Sequence, residues 1–197
     1  MVLDRDRRLA VPGTTPRADG IQQSTPAKAI PGFDLPHVYT SWDVLGFGDI
    51  ANIEGPAVVY DDTGTFEAIS IADFFLEKKI QVTMVSRNDS VGARLNYPPV
   101  TAGSARERLY SGDFDFIGSH HLLSITESEV EIGVLFTGRS RKIAAKTLVF
   151  VGFNEANREL WQSLQGNGPP SHMVGDVRGR NSIMTAIHAG NELGRKI

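Results

Sequence analysis

The 197-residue chain has no cysteine, so no disulfide, thiolate-ligated zinc, iron–sulfur cluster or thiol redox couple can be built within it. Any electrons it handles must travel on a bound cofactor. A dominant charge is also missing: 20 Lys and Arg against 23 Asp and Glu leave a formal net charge of −3. Neither nucleic acid nor an anionic membrane surface is an expected partner on that balance. No apolar run approaches the roughly 18 residues needed to cross a bilayer. The N-terminus carries Asp4, Arg5, Asp6, Arg7 and Arg8 without an apolar core behind them, which is not a signal-peptide pattern. A cytoplasmic location is the expectation. What is present is the balance of a folded soluble chain, 41% hydrophobic and 22% charged. It is long enough for one good core, or for two small lobes that share one.

Five of the ten prolines fall at positions 12, 16, 26, 31 and 36, so residues 1–54 read as an extended, irregular arm that covers rather than forms a core. A short strand over residues 9–11 and a helical turn over 41–45 are the regular pieces expected there. From Pro56 the texture changes. Residues 57–60 form an apolar strand-type run, followed at once by the turn residues Asp61, Asp62, Thr63 and Gly64. Over residues 65–78, Ala68, Ile71, Ala72 and Phe75 recur at helical spacing, with Phe66 and Ile69 widening the stripe. Residues 81–85 give a second strand. Strand, helix and strand within about 30 residues match one right-handed βαβ unit.

A helix over residues 101–110 after the Pro98-Pro99 break, and a strand over 114–117, continue the α/β pattern. Residues 122–125, 130–136 and 141–145 then read as short strands of an antiparallel meander. Residues 147–152 are apolar enough for a buried parallel strand. Asn157 is placed to cap a helix running to Gln165, packed by Leu160, Trp161 and Leu164 and stopped by Gly166. A strand over 172–174 leads through Gly175-Asp176 into a helix from about Ser182.

Three stretches together resemble the multidomain NADH:flavin oxidoreductase family that includes dienoyl-CoA reductase, trimethylamine dehydrogenase and histamine dehydrogenase. Pro12-Gly13-Thr14-Thr15-Pro16-Arg17 resembles the Ala-Thr-Gly-x-x-Pro turn of the family's flavin lobe, and Ile30-Pro31-Gly32-Phe33 to Trp42-Asp43-Val44-Leu45 resembles the linker after it. The βαβ unit from Val58 to Arg87 is the second stretch. Val174-Gly175-Asp176 followed by Ala186-Ile187-His188-Ala189-Gly190 is similar to the family's C-terminal Gly-Asp motif. The resemblance covers residues 10–197. It implies a Rossmann-like three-layer FAD/NAD(P)-binding domain, with a parallel sheet, an antiparallel β-meander and an incomplete flavin lobe. The implied division is a flavin- or ADP-type remnant in 1–54, an inserted NAD(P)-type lobe in 55–150 and a return segment of the flavin lobe in 151–197. The family's FMN-holding barrel, cluster cysteines and first glycine-rich βαβ have no counterpart in this sequence.

A dinucleotide pyrophosphate is normally held by a Gly-x-Gly-x-x-Gly turn at a helix N-terminus. Aligning Glu67-Ala68 with the family's helix puts Tyr60, Asp62 and Thr65 at the three glycine positions and leaves Gly64 as the nearby glycine. Side chains fill the approach and carboxylates repel a phosphate, so NAD(P) binding is expected to be weak or absent. Arg87, at the end of the second strand, is placed where an arginine meets the 2′-phosphate of NADP; its ordinary alternative is an exposed arginine after a strand. For Asp61 and Asp62 the ordinary alternative is a solvated turn capping the next helix.

By the resemblance, Asp176 contacts the ribityl or ribose of FAD or ADP and Gly175 gives room for backbone approach, with Gly13 and Thr14 as the matching contacts. The structural alternative is a plain strand-to-helix turn. His120 and His121 point to opposite faces of one strand, which argues against a shared metal; no metal is expected. Two functions follow. One is a C-terminal nucleotide-binding and electron-transfer module of a flavin-dependent NAD(P)H oxidoreductase, incomplete as a catalyst alone. The other is a redox-inactive interaction or scaffold domain that keeps the fold. Missing flavin-lobe strands would expose an apolar face, so a homodimer or a partner flavoprotein subunit is expected.

Overall fold

The computed structural model describes residues 8–10, 12–46, 53–95, 100–166, 169–178 and 183–196. Val11, Pro98, Pro99 and Ser182, which bound three of the predicted pieces, lie outside the described residues. The chain divides into one unit of Met1–Thr15 with Asn154–Ile197 and a larger one of Pro16–Phe153. The proline-rich arm is thus shared out: its first part, with strands β1 (Arg8–Ala10) and β2 (Thr14–Thr15), goes to the smaller unit.

The larger unit runs β3 (Val38–Thr40), α1 (Ser41–Leu45), β4 (Ala57–Asp61), α2 (Phe66–Glu77), β5 (Val82–Ser86), α3 (Val100–Tyr110) and β6 (Phe114–Ile117). A meander of β7 (His120–Ile125), β8 (Glu129–Val134) and β9 (Ser140–Ala144) follows, and β10 (Thr147–Val151) returns to the sheet. The order β3-β10-β4-β5-β6 is parallel throughout, and the meander is antiparallel. β3 was not foreseen in the arm, because three residues are too few to show a period.

Alternation along the central strands builds three layers. Val59, Val149 and Val151 face Ala68, Ile71, Ala72 and Phe75 of α2. Val58, Tyr60, Leu148 and Phe150 face Leu122, Val130 and Ile132 of the meander. Successive side chains point to opposite faces, so a strand apolar at every position is one covered on both sides. Tyr60 stacks on Phe150 with ring centroids 5.5 Å apart, and Phe33 from the arm meets Phe150 edge-on at 5.2 Å. The arm therefore contributes to the core as well as covering it.

In the smaller unit β11 (Glu155–Ala156) pairs antiparallel with β2 and β12 (Ser171–Met173) pairs parallel with β1. Between them lies α4 (Glu159–Ser163), whose first amide donates to the Asn157 side chain at 3.2 Å. A 3₁₀ turn over Gly175–Arg178 and α5 (Ile183–Gly194) follow. Among its described residues only Ala10 and Val177 are buried apolar side chains.

One side chain fastens the arm to the meander. Gln22 Nε2 donates to the Leu122 carbonyl at 2.6 Å, and the Leu122 amide donates to Gln22 Oε1 at 3.1 Å. The amide thus acts as a length of strand where the β7–β8 register shifts. Replacing it by an apolar isostere leaves a buried donor and a buried acceptor unpaired, at roughly 1–3 kcal/mol each. Gln22→Leu is therefore expected to lose about 2–4 kcal/mol of unfolding free energy in urea; an unchanged midpoint would show that the pairing does not hold the arm.

Candidate functional site

Open α/β sheets place ligands beyond the carboxyl ends of their strands, and in the larger unit that position belongs to the loop between β4 and α2. Asp61 ends β4 with its side chain turned back over the loop. Its Oδ1 accepts from the Thr63 amide at 3.0 Å, the Gly64 amide at 2.7 Å and the Thr63 hydroxyl at 3.0 Å. Its Oδ2 is buried without a hydrogen-bond partner among the described residues. Asp62 turns the other way. Its Oδ2 accepts from the Gln23 amide at 2.8 Å, and its Oδ1 lies 3.4 Å from the Tyr60 hydroxyl and 3.3 Å from Arg87 Nε. The two carboxylates are 0% and 1% exposed, so the solvated turn expected of them is not what forms.

Burial pushes both carboxyls above the ordinary aspartate range. For Asp61 desolvation outweighs the loop donors, and for Asp62 it outweighs the Gln23 amide and the Arg87 charge. Arg87 Nε also donates to the Asp62 carbonyl at 2.9 Å. Its guanidinium is thus turned toward the loop it was expected to flank. The chain after β5 closes the same loop from outside, with the Arg94 amide donating to the Gly64 carbonyl at 2.9 Å. Gly64 has φ +69°, and a Cβ there would come within 3.1 Å of Asn88 Nδ2 and 3.3 Å of the Arg94 nitrogen. Arg94 in turn stacks on Phe153 at 5.3 Å.

These residues do not fit a dinucleotide. A pyrophosphate needs free amides and bare backbone, and here the Thr63 and Gly64 amides are taken by Asp61, while Tyr60, Asp62 and Thr65 stand where the family resemblance would put glycine. Asp62, Gly64 and Arg87 are brought together, but as a cluster bonded to one another and to the loop, with Asp61 Oδ2 left as a buried acceptor without a partner among the described residues. Gln23, Arg94 and Phe153 complete it and were not anticipated; each sits far from the motif in sequence and carries no pattern of its own.

The smaller unit holds the other predicted residues. Gly13 accepts from the Asn157 amide at 3.1 Å and Thr14 pairs with Ala156 in β2–β11, which lies against the Gly175–Arg178 turn. Asp176 is half-buried at the start of that turn. Beside it a cavity of about 320 Å³ is lined by Gly175, Arg178, Thr185, His188, Ala189 and Glu192. Arg178 Nη1 stands 3.8 Å from Glu192. The cavity lining therefore sets backbone at Gly175 and the side chains of Arg178 and His188 beside the Glu192 carboxylate. A larger cavity of about 510 Å³ runs along β3 in the other unit. Two of its carboxylates are committed, Asp19 to Arg17 at 2.7 Å and Asp43 to the Thr40 amide at 2.7 Å.

No family model matches the sequence, and no curated protein matches it. Solved structures do share the fold. The 6-hydroxypseudooxynicotine amine oxidase of Pseudomonas geniculata N1 is 24% identical with a TM-score of 0.86, over 96% of this chain and 28% of that one. Histamine dehydrogenase from Rhizobium sp. 4-9 is 21% identical with a TM-score of 0.85, over 98% and 30%. Thioredoxin reductase of Lactococcus lactis gives 18% and 0.62, over 95% and 63%. The chain therefore spans less than a third of the first two. The resemblance to the NADH:flavin oxidoreductases drawn from the motifs is met at the level of fold: α/β and Rossmann-like, in the manner of FAD/NAD(P)-binding flavoproteins. Among the described residues no helix is long and apolar enough to cross a membrane, and no group of three or more His, Asp or Glu could hold a metal ion.

The buried charge at Asp61 has a testable sign. A carboxyl whose folded pKa is raised favours the folded state most when protonated, and that contribution is lost as pH rises through the raised value. Asp61→Asn keeps an acceptor for the loop and removes the charge. The variant is expected to match the parent near pH 4 and to become progressively more stable than it toward pH 7. A thermal-melting series showing a constant difference, or one of opposite slope, would refute this account of the loop.

Proposed function

We propose that this chain is the C-terminal nucleotide-binding and electron-transfer module of a flavin-dependent NAD(P)H oxidoreductase, incomplete as a catalyst by itself and working in the cytoplasm. The observation that carries this reading is the shared fold, which takes in nearly the whole chain in both the amine oxidase and histamine dehydrogenase. The proposed group is FAD or ADP, in the smaller unit. Asp176 would take ribityl or ribose hydroxyls, Gly175 would admit the ligand close to backbone, and Arg178 and His188 would face its phosphates. Gly13 and Thr14 are the proposed contacts from β2. A bound flavin supplies the electron-carrying ring that a cysteine-free chain cannot replace with side chains.

The partner is a second copy or a flavoprotein subunit, and α5 is the proposed meeting face. Ile183, Met184 and Ile187 are 82%, 68% and 65% exposed there, and α5 buries none of its residues. Contiguous apolar exposure of this kind usually marks association. The second reading, a redox-inactive scaffold, is favoured by the closed loop at Asp61.

Nucleotide titration separates the two. ADP and FAD are expected to bind with micromolar affinity, weakened at least about tenfold by Asp176→Ala and by Arg178→Gln, while NADPH is expected not to bind. A folded chain that binds no nucleotide would leave the scaffold reading in its place. Light scattering is expected to show a mass above the monomer, reduced by Ile187→Asp; a strict monomer at high concentration would remove the self-associating form of the proposal.

A further inference from the structure

Three donors converge on Asp61 Oδ1 at 2.7–3.0 Å, all within hydrogen-bonding distance. Two of them are consecutive backbone amides just ahead of α2, a helix of 12 residues whose N-cap Thr65 makes no side-chain cap bond. Successive amides before a helix form the concavity that holds phosphate in nucleotide-binding loops. An aspartate in an ordinary surface turn leaves its second oxygen in water. Here Oδ2 is wholly buried and meets no donor among the described residues, so a whole carboxylate has been brought inside although the turn needs only one oxygen of it.

We propose that the Asp61 carboxylate is the loop's own anion, occupying the amides that a phosphate group would otherwise take, so that this binding nest is closed from within rather than dismantled. The loop remains built around a negative group. What has changed is that the group is covalently attached, at the last residue of β4, where its backbone is fixed by pairing with Ser86. A tethered ligand needs no translational entropy to stay bound, so a dilute phosphate monoester cannot displace it. Asp62 lies next to the nest with like charge and is itself balanced by Arg87. A phosphate admitted in place of Asp61 would therefore bind weakly, and as a small anion rather than as a dinucleotide, because the Asp62 side chain stands beside the nest and the Arg94 amide ties the Gly64 carbonyl. This inference concerns the larger unit and does not depend on flavin binding in the smaller one.

Emptying the nest tests it. Asp61→Ala removes the carboxylate and leaves its three donors; Asp61→Asn keeps a neutral acceptor on them. Inorganic phosphate would be titrated into the full chain against chloride at matched ionic strength, following the Thr63 and Gly64 amide resonances and the melting midpoint. Asp61→Ala is expected to show saturable shifts at both amides, with affinity at least about tenfold above the parent, whereas the parent and Asp61→Asn show none. A folded Asp61→Ala without a saturable response overturns the proposal, as does equal binding by the parent. If Asp61→Ala does not fold alone, phosphate must restore a cooperative melt that chloride does not; failure to do so also overturns it. ADP binding to the smaller unit can succeed or fail without altering any of these outcomes.

Discussion

β4 is buried along its whole length, from Ala57 through Asp61, and every polar group at its carboxyl end must therefore be satisfied from inside the protein. Burying an unpaired carboxylate is among the most unfavourable events in folding. The neighbouring structure follows from meeting that demand. The loop supplies amides to Asp61, the arm supplies the Gln23 amide to Asp62, and Arg87, just after β5, turns inward. The cluster ties together segments distant in sequence because no single segment has enough donors.

The two units resolve their polar and apolar demands in opposite ways. The larger one is closed: both faces of its sheet are covered, by α2 on one side and by the meander on the other, and the Thr63 and Gly64 amides of its strand-end loop are held by Asp61. The smaller one is open. It has two two-stranded pairings, almost no buried apolar side chain among its described residues, and a terminal helix with its isoleucines in water. A parallel pair such as β1–β12 is ordinarily found covered on both faces. A binding function, of nucleotide or protein, is more readily placed where demands are unmet than where they are met.

How far the sequence revealed this depended on the length of each pattern. The βαβ unit was legible because α2 repeats its apolar positions over three turns and β4 is an unbroken apolar run from Ala57 to Tyr60; both are signals of burial that local context cannot erase. The meander was legible from polar turns between short alternating runs, with boundaries displaced by one or two residues. β3, β2 and β11 were not, since strands of two or three residues are created by the neighbour they pair with. At the site, the replaced glycines were readable as an obstacle to pyrophosphate. That Asp61 and Asp62 would be buried was not, because the loop's partners Gln23 and Arg94 reach it only through the tertiary fold.

A loop that had merely lost its function would be expected to relax into a solvated turn, the least demanding solution for two adjacent aspartates. Instead the chain keeps a left-handed glycine at position 64, holds both carboxylates out of water against their own desolvation and closes the loop with an amide from beyond β5. Each feature is costly alone and favourable only together, since Gly64 donates to Asp61 through its amide while its carbonyl receives Arg94. On the proposal made above, the amides of a phosphate-type turn are met by a side-chain carboxylate rather than by a ligand, which leaves the proposed exchange of ligands and partners to Asp176 and α5.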